Sequence, residues 1–397
     1  MPKRKTAVHK KVSRNQNVGF WQVLWARFMK WSVRKHFWKK VFAGFGITLI
    51  VGVGGMYGIA QWYIHKHANE PITLGATFVP DYARYFGLDA RQTLTAMVDD
   101  LGVKQLRLVS YWDDIEHQQG SYDFSELDSE MQFAQSRNVK VSLALGLRQP
   151  RWPECHMPDW AEREPTTQWE KQLNNFIATV VNRYKDNSAL DSYQLENEYF
   201  LTVFGECHNF DRERLVSEYN LVKGLDPNHT LVVSMSNNAI GMPLGQPTPD
   251  EWSISVYKRV WDKTISQRYF EYPIPAWYYA FRAGWTELTR GRNSFIHELQ
   301  AEPWIADPVG GIQDASIAEQ SKTLDAPRLK DRIQYGEATG MKTIYMWGVE
   351  WWYWRMVKYN DPSLWNTAKE AISKAENHNS QLEQQGKLKV NLDIIKK

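Results

Sequence analysis

The chain has 397 residues, enough for one large domain or two ordinary ones. Its net charge of +3 hides an asymmetry: residues 1–40 carry twelve Lys and Arg and no Asp or Glu, leaving 36 basic against 45 acidic residues in the rest, a net of −9. A basic leader on an acidic body argues against a nucleic-acid-binding body, and neither a nucleotide-binding signature nor an internal repeat is present.

Residues 17–40 interleave Trp21, Trp25, Phe28, Trp31, Phe37 and Trp38 with Lys and Arg. That pattern predicts a helix in the inner membrane interface, with indoles among headgroups and cations facing anionic lipid; a solvated basic tail is the plainer alternative. Val41–Ile64 holds no charged residue. At about 1.5 Å per residue it reaches across a hydrocarbon core of about 30 Å. The basic side marks the cytoplasm, so the expected topology is single-pass, with everything after His65 outside. A buried core helix and a cleaved signal peptide are the rival readings; a long preceding segment and the lack of a small-x-small cleavage site count against the latter. Gly54 and Gly58 form a GxxxG, a hint of a weak homodimer through the span.

After a connector (65–71), short apolar runs alternate with helical periods. Strands are expected at 72–79, 104–110, 139–147, 191–197, 230–236, 252–257, 293–300 and 342–348. Helices are expected near 90–101, 125–137, 167–185, 211–224, 316–339 and 363–376. Eight such units in about 300 residues predict a (β/α)8 barrel over 72–376. A doubly wound sheet is the alternative, but its Gly-rich phosphate turn is missing after the first strand, where GATFVPDYA stands. Residues 259–292 read as the sixth helix with an elaborated loop, and 377–397 as a polar external tail.

A barrel presents its reactive groups at the C-terminal ends of its strands. There the sequence places Arg107 (second strand), Asn197–Glu198 (fourth), Asn237 and Asn238 (fifth), Tyr257 (sixth), Glu298 and Gln300 (seventh) and Trp347 (eighth). Two carboxyl groups on separate strands suit glycoside hydrolysis: one, protonated, serves the leaving oxygen, and the other, ionised, serves the anomeric carbon. Their pKa values must be pushed apart, and Arg107 beside Glu298 would keep that group ionised. Asn197 could bond the sugar hydroxyl next to the reacting carbon. Trp112 and Trp304 are candidate platforms for the C–H faces of sugars.

These residues carry a resemblance. The ENEY stretch at 196–199, FIHELQAEPW at 295–304 and YWDDIEHQQGSYDFSELD at 111–128 are similar to the clan of retaining (β/α)8 glycoside hydrolases that includes many β-galactosidases, β-xylosidases and endo-glucanases. The resemblance implies Glu198 as acid/base, Asn197 as its sugar-binding neighbour and Glu298 as nucleophile. It also implies Tyr257 as the residue bonding the nucleophile, and Arg107 and Trp347 as supporting groups. Departures are His297, where a small residue is usual, and Glu302, a nearby rival nucleophile; Glu196 is the rival acid. No metal or organic cofactor is implied. The partners expected are a carbohydrate and, through residues 17–64, a lipid bilayer. An inactive glycan-binding barrel and a transglycosylase using the same residues are the alternative functions.

Cys155 and Cys207 both fall in the external part, where a disulfide is permitted. Free thiols are one alternative; each also precedes a histidine (His156, His208), so zinc is weighed, but no CxxC or HxxxH clip supports it. On a barrel they lie on loops after the third and fourth strands, placing a bridge at the rim of the cleft.

Overall fold

The computed structural model describes residues 20–207, 209–237, 244–263, 266–306 and 311–395. The chain divides into two compact units, Met1–Met56 and Tyr57–Lys397.

In the first unit the described residues are helical, part of a helix spanning Phe20–Lys66. Phe42, Phe45, Ile47, Leu49, Ile50 and Val51 are 56–73% exposed. These apolar side chains stand exposed, unlike those of a buried core helix. It is long and apolar enough to cross a membrane, by length and composition.

The second unit is a closed barrel of eight parallel strands. These are β1 (Thr73–Thr77), β2 (Gln105–Leu108), β3 (Lys140–Leu145), β4 (Leu190–Leu195), β5 (Thr230–Met235) and β6 (Glu251–Val256). A two-stranded excursion follows, β7 (Arg259–Asp262) and β8 (Arg268–Glu271), before β9 (Asn293–Gln300) and β10 (Thr343–Trp347) complete the ring. The strands read as near-continuous apolar runs because helices cover one face and barrel side chains the other. Closure brings β1 against β10, with Gly75 opposite Tyr345. A Cβ at Gly75 would stand 2.7 Å from the Gln105 carbonyl oxygen and 3.0 Å from the Tyr345 ring, so only glycine fits there.

All eight expected barrel strands are present, and the helices Ser125–Ser136, Thr166–Tyr184 and Arg212–Leu225 lie where the apolar period placed them. Three readings are corrected. The expected helix 316–339 is two pieces, Ile317–Gln320 and Ala326–Glu337, because Asp325 caps the second through its side chain and a proline opens it. Residues 259–292 begin as the antiparallel pair β7–β8, in which Trp261 faces Tyr269 at 5.1 Å, and only then form the helix Ala276–Arg290. The tail after 376 continues the last helix, Ser363–Ile395. Its first turns bury Leu364, Trp365, Ala368 and Ile372, and strong helix formers carry it onward.

The barrel unit also takes residues 57–64 of the expected span. Ala60 and Tyr63 are buried, and Tyr57 meets Trp277 edge-on at 5.7 Å. Gly284 makes room, since a Cβ there would lie 3.0 Å from Tyr63 Cβ. His67 Nε2 is 2.8 Å from Glu287 Oε2, and Lys66 pairs with the same carboxylate. Residues 57–67 therefore run parallel to the helix Ala276–Arg290, starting at the end nearest the C-termini of the barrel strands.

Candidate active site

β4 ends in a sharp turn: Glu196 and Glu198 both take left-handed backbone conformations, with φ of 55° and 44°. Such φ values cost energy outside glycine and persist where the surroundings enforce them. Here they send alternate side chains to different tasks. The Glu196 carboxylate accepts from the backbone N–H of Leu147 (2.8 Å) and Arg148 (2.9 Å) and from Arg214 Nη1 (2.8 Å). These bonds tie the end of β4 to the loop after β3 and to the helix Arg212–Leu225, and they turn Glu196 away from the group formed by Glu198 and Glu298. The Glu198 N–H donates to Ser234 Oγ at 2.7 Å, and Ser255 Oγ donates to Glu198 Oε1.

Glu298, near the end of β9, is held from both sides. Arg107 Nη1 donates to its Oε1 at 2.8 Å and Tyr257 Oη to its Oε2 at 2.9 Å. Arg107 Nη2 reaches Asn197 Oδ1 at 2.8 Å, so one buried guanidinium from β2 ties the ends of β4 and β9 together. Glu302 instead forms a two-pronged pair with Arg151 at 2.6 and 2.9 Å. Its partner is Arg151, not the Arg107 and Tyr257 that hold Glu298.

One oxygen of Glu198, one of Glu298 and a ring nitrogen of His297 all lie within 4.8 Å of one another. Such a trio could hold a metal ion, but Arg107 already brings a positive charge to the Glu298 oxygen that an ion would use. Burial, then the charge of Glu298, pushes the Glu198 carboxyl up to about 7, against the Ser255 bond and the charges of Arg148 and Arg107. Burial and the charge of Glu298 hold the Tyr257 phenol well above its ordinary value, so it is a lasting donor. Burial, then Arg107, holds His297 well below its ordinary value, and the ring stays neutral.

The other expected residues divide. Trp347 is buried beside the cleft with the Arg151 guanidinium 4.0 Å from its ring centre. Trp304 is 36% exposed and stands edge-on to Tyr257 at 5.8 Å, an available platform. Trp112 is fully buried, packed between Trp160 and Phe176 with its N–H on Glu116. It shows no face to a sugar, and its place as a platform is corrected to core. Gln300 accepts from the N–H of Lys258 and Arg259 (both 2.9 Å) and donates to the Arg259 carbonyl (2.6 Å), so it supports the root of β7. Asn237 donates to the Tyr257 carbonyl at 3.3 Å; Asn238 and His208 lie outside the described residues. Cys155 and Cys207 are joined, with Cα atoms 5.3 Å apart.

Sequence reasoning missed Ser255, Arg151 and Glu154. Ser255 lies inside the apolar run WSISVY, where a small polar residue attracts no notice. Arg151 and Glu154 sit in RQPRWPECH, a run visibly rich in polar residues after β3 but with no period to say which point inward.

Comparison with known proteins agrees with this geometry. The model of Glycosyl hydrolase family 10 matches residues 109–210. A curated relative, beta-galactosidase LacZ of Lactobacillus acidophilus, is 25% identical over 133 residues, 29% of this chain and 20% of that protein. The exo-beta-1,4-mannosidase of Opitutaceae bacterium strain TAV5 superposes with a TM-score of 0.50 at 14% identity, over 78% of this chain and 60% of its own. An endo-beta-1,4-xylanase of family 10 from Gloeophyllum trabeum does so at 0.50 and 15%, over 77% of this chain and 97% of its own. The resemblance to barrel glycoside hydrolases extends to the family 10 match over residues 109–210. These relatives share the barrel, and the chain spans only 20% of the galactosidase's length.

Proposed function

We propose that the protein is a membrane-anchored retaining glycoside hydrolase acting on a poly- or oligosaccharide outside the cytoplasm. The observation that carries this is the pairing of unlike carboxyls. Glu198 and Glu298 have oxygens within 4.8 Å; burial favours a proton on Glu198, while a guanidinium and a phenol clamp Glu298. Two carboxyls sharing one cleft this closely suit direct attack by one of them, as in a retaining site whose carboxyl groups stand about 5–5.5 Å apart.

In this mechanism Glu298 attacks the anomeric carbon while Glu198 gives its proton to the leaving oxygen. The bond from Glu298 to the sugar forms as the glycosidic bond breaks. Glu198, now ionised, takes a proton from a water whose oxygen bonds the anomeric carbon as the bond to Glu298 breaks, which frees Glu298 and releases the sugar with its original configuration. Asn197, fixed by Arg107, offers its amide to the hydroxyl beside the reacting carbon. Trp304, 36% exposed, supplies an apolar face.

The exposed apolar helix before Tyr57 supports anchoring, with the basic leader inside.

The test is proton NMR of the first product from aryl β-glycosides, using the full chain in detergent. A β-configured sugar is expected first, and Glu298→Ala should remove at least about 10³-fold of kcat. An α-configured first product, or full activity in Glu298→Ala, refutes the mechanism.

A further inference from the structure

A third carboxyl enters the site from the loop after β3. Glu154 is 6% exposed and its Oε2 accepts from Asn197 Nδ2 at 3.1 Å. Arg148 Nε stands 3.4 Å from the same oxygen. Asn197 is thereby gripped at both ends of its amide, by Arg107 on Oδ1 at 2.8 Å and by Glu154 on Nδ2. An amide nitrogen has two protons, and with one spent on Glu154 the direction of the other is set.

The loop invests heavily in placing this side chain. Glu154 takes a left-handed φ of 75°. Its neighbour Cys155 is bridged to Cys207, and the Glu206 N–H donates to the Pro153 carbonyl at 2.9 Å. Gly205, at φ 86°, lets the two loops close, since a Cβ there would meet Glu154 Cβ at 2.8 Å. A strained non-glycine residue, a covalent brace and an obligate glycine converge on one carboxyl. Burial, opposed by Arg148 and reinforced by the charges of Glu198 and Glu298, pushes that carboxyl up to about 8. A neutral acid still accepts the Asn197 N–H through its carbonyl oxygen.

We infer that Glu154 is a positioning residue that aims the Asn197 amide at the sugar hydroxyl adjacent to the anomeric carbon, and that the Cys155–Cys207 bridge holds it there. This rests on the hydrolase reading of the same site.

The experiment compares a 4-nitrophenyl β-glycoside that the full chain hydrolyses with its 2-deoxy analogue. Glu154→Ala is expected to lose about 10- to 100-fold in kcat/KM on the 2-hydroxy substrate and less than about 3-fold on the 2-deoxy one. Glu154→Gln, which keeps an acceptor, should recover most of the loss. In an Asn197→Ala background, Glu154→Ala should cost almost nothing further. Equal losses on both substrates, or additive losses in the double variant, overturn the inference and leave a structural brace. If Glu154→Ala fails to fold, the Gln variant decides: a loss confined to the 2-hydroxy substrate or none supports the inference, and an equal loss on both refutes it. A wild-type chain inert on every glycoside instead refutes the hydrolase reading, and this inference falls with it.

Discussion

Replacing Ser255 by Ala deletes one hydroxyl and should move the activity profile in an uncommon direction. Ser255 Oγ donates to Glu198 Oε1, and among the described residues its other polar neighbour is His297 Nε2 at 3.4 Å. Donation to a carboxylate favours the ionised form and so lowers the Glu198 pKa. Hydrogen bonds to charged groups are worth about 1.5–3 kcal/mol net, and about 1.36 kcal/mol corresponds to one pKa unit. Removing the bond should therefore raise Glu198 by about 1–2 units from its value of about 7. A general acid must carry its proton in the free enzyme, so the alkaline limb of kcat/KM reports this group. In Ser255→Ala that limb should move up by about 1–2 pH units, so the variant outperforms the wild type relative to its own maximum above pH about 8. The assay is kcat/KM from pH 5 to about 10 on an aryl glycoside with a poor leaving group, where protonation limits the rate. A limb that stays put, or moves down, refutes the claim that Ser255 favours ionised Glu198.

Glu198→Ala should lose about 10²–10⁴-fold on such poor leaving groups but far less on dinitrophenyl glycosides, and azide should restore turnover as a β-glycosyl azide visible by NMR. Reducing the Cys155–Cys207 bridge, which spans 52 positions, should lower stability by up to about 4 kcal/mol in the chain-entropy account, seen as a lower Tm and as lost glycoside hydrolysis. Tyr63→Ala should destabilise the barrel by about 3–5 kcal/mol in calorimetry because Tyr63 is 1% exposed, whereas Ile50→Ala, at a position 73% exposed, should leave the barrel's Tm unchanged.

The strand ends were legible because a parallel strand buried on both faces advertises itself as a short apolar run, and the residue that stops the run is its tip. That logic located Asn197, Glu198, Tyr257 and Glu298 in one dimension. The resemblance then supplied the proposed split into acid/base and nucleophile. The hairpin β7–β8 was not legible, since its aromatic residues suit a strand or a helix face equally and cross-strand pairing is what selects the strand. Trp112 shows the same limit from the other side. An indole beside a strand tip looks the same in sequence whether it faces sugar or core, and only its packing on Trp160 and Phe176 decides.

By itself, then, the sequence determined the barrel, the order of its strands, the apolar span and the two carboxyls, because each is written in local patterns of burial and charge. Only the tertiary structure decided that Glu196 serves Arg214 and the β3 loop, that Glu302 serves Arg151, and that Glu154 reaches Asn197. Those partners lie between 18 and 151 positions apart in the chain. Whether a glutamate is an acid, an anchor or an aiming device depends on which charges and donors surround it once water is gone, and no local pattern encodes that.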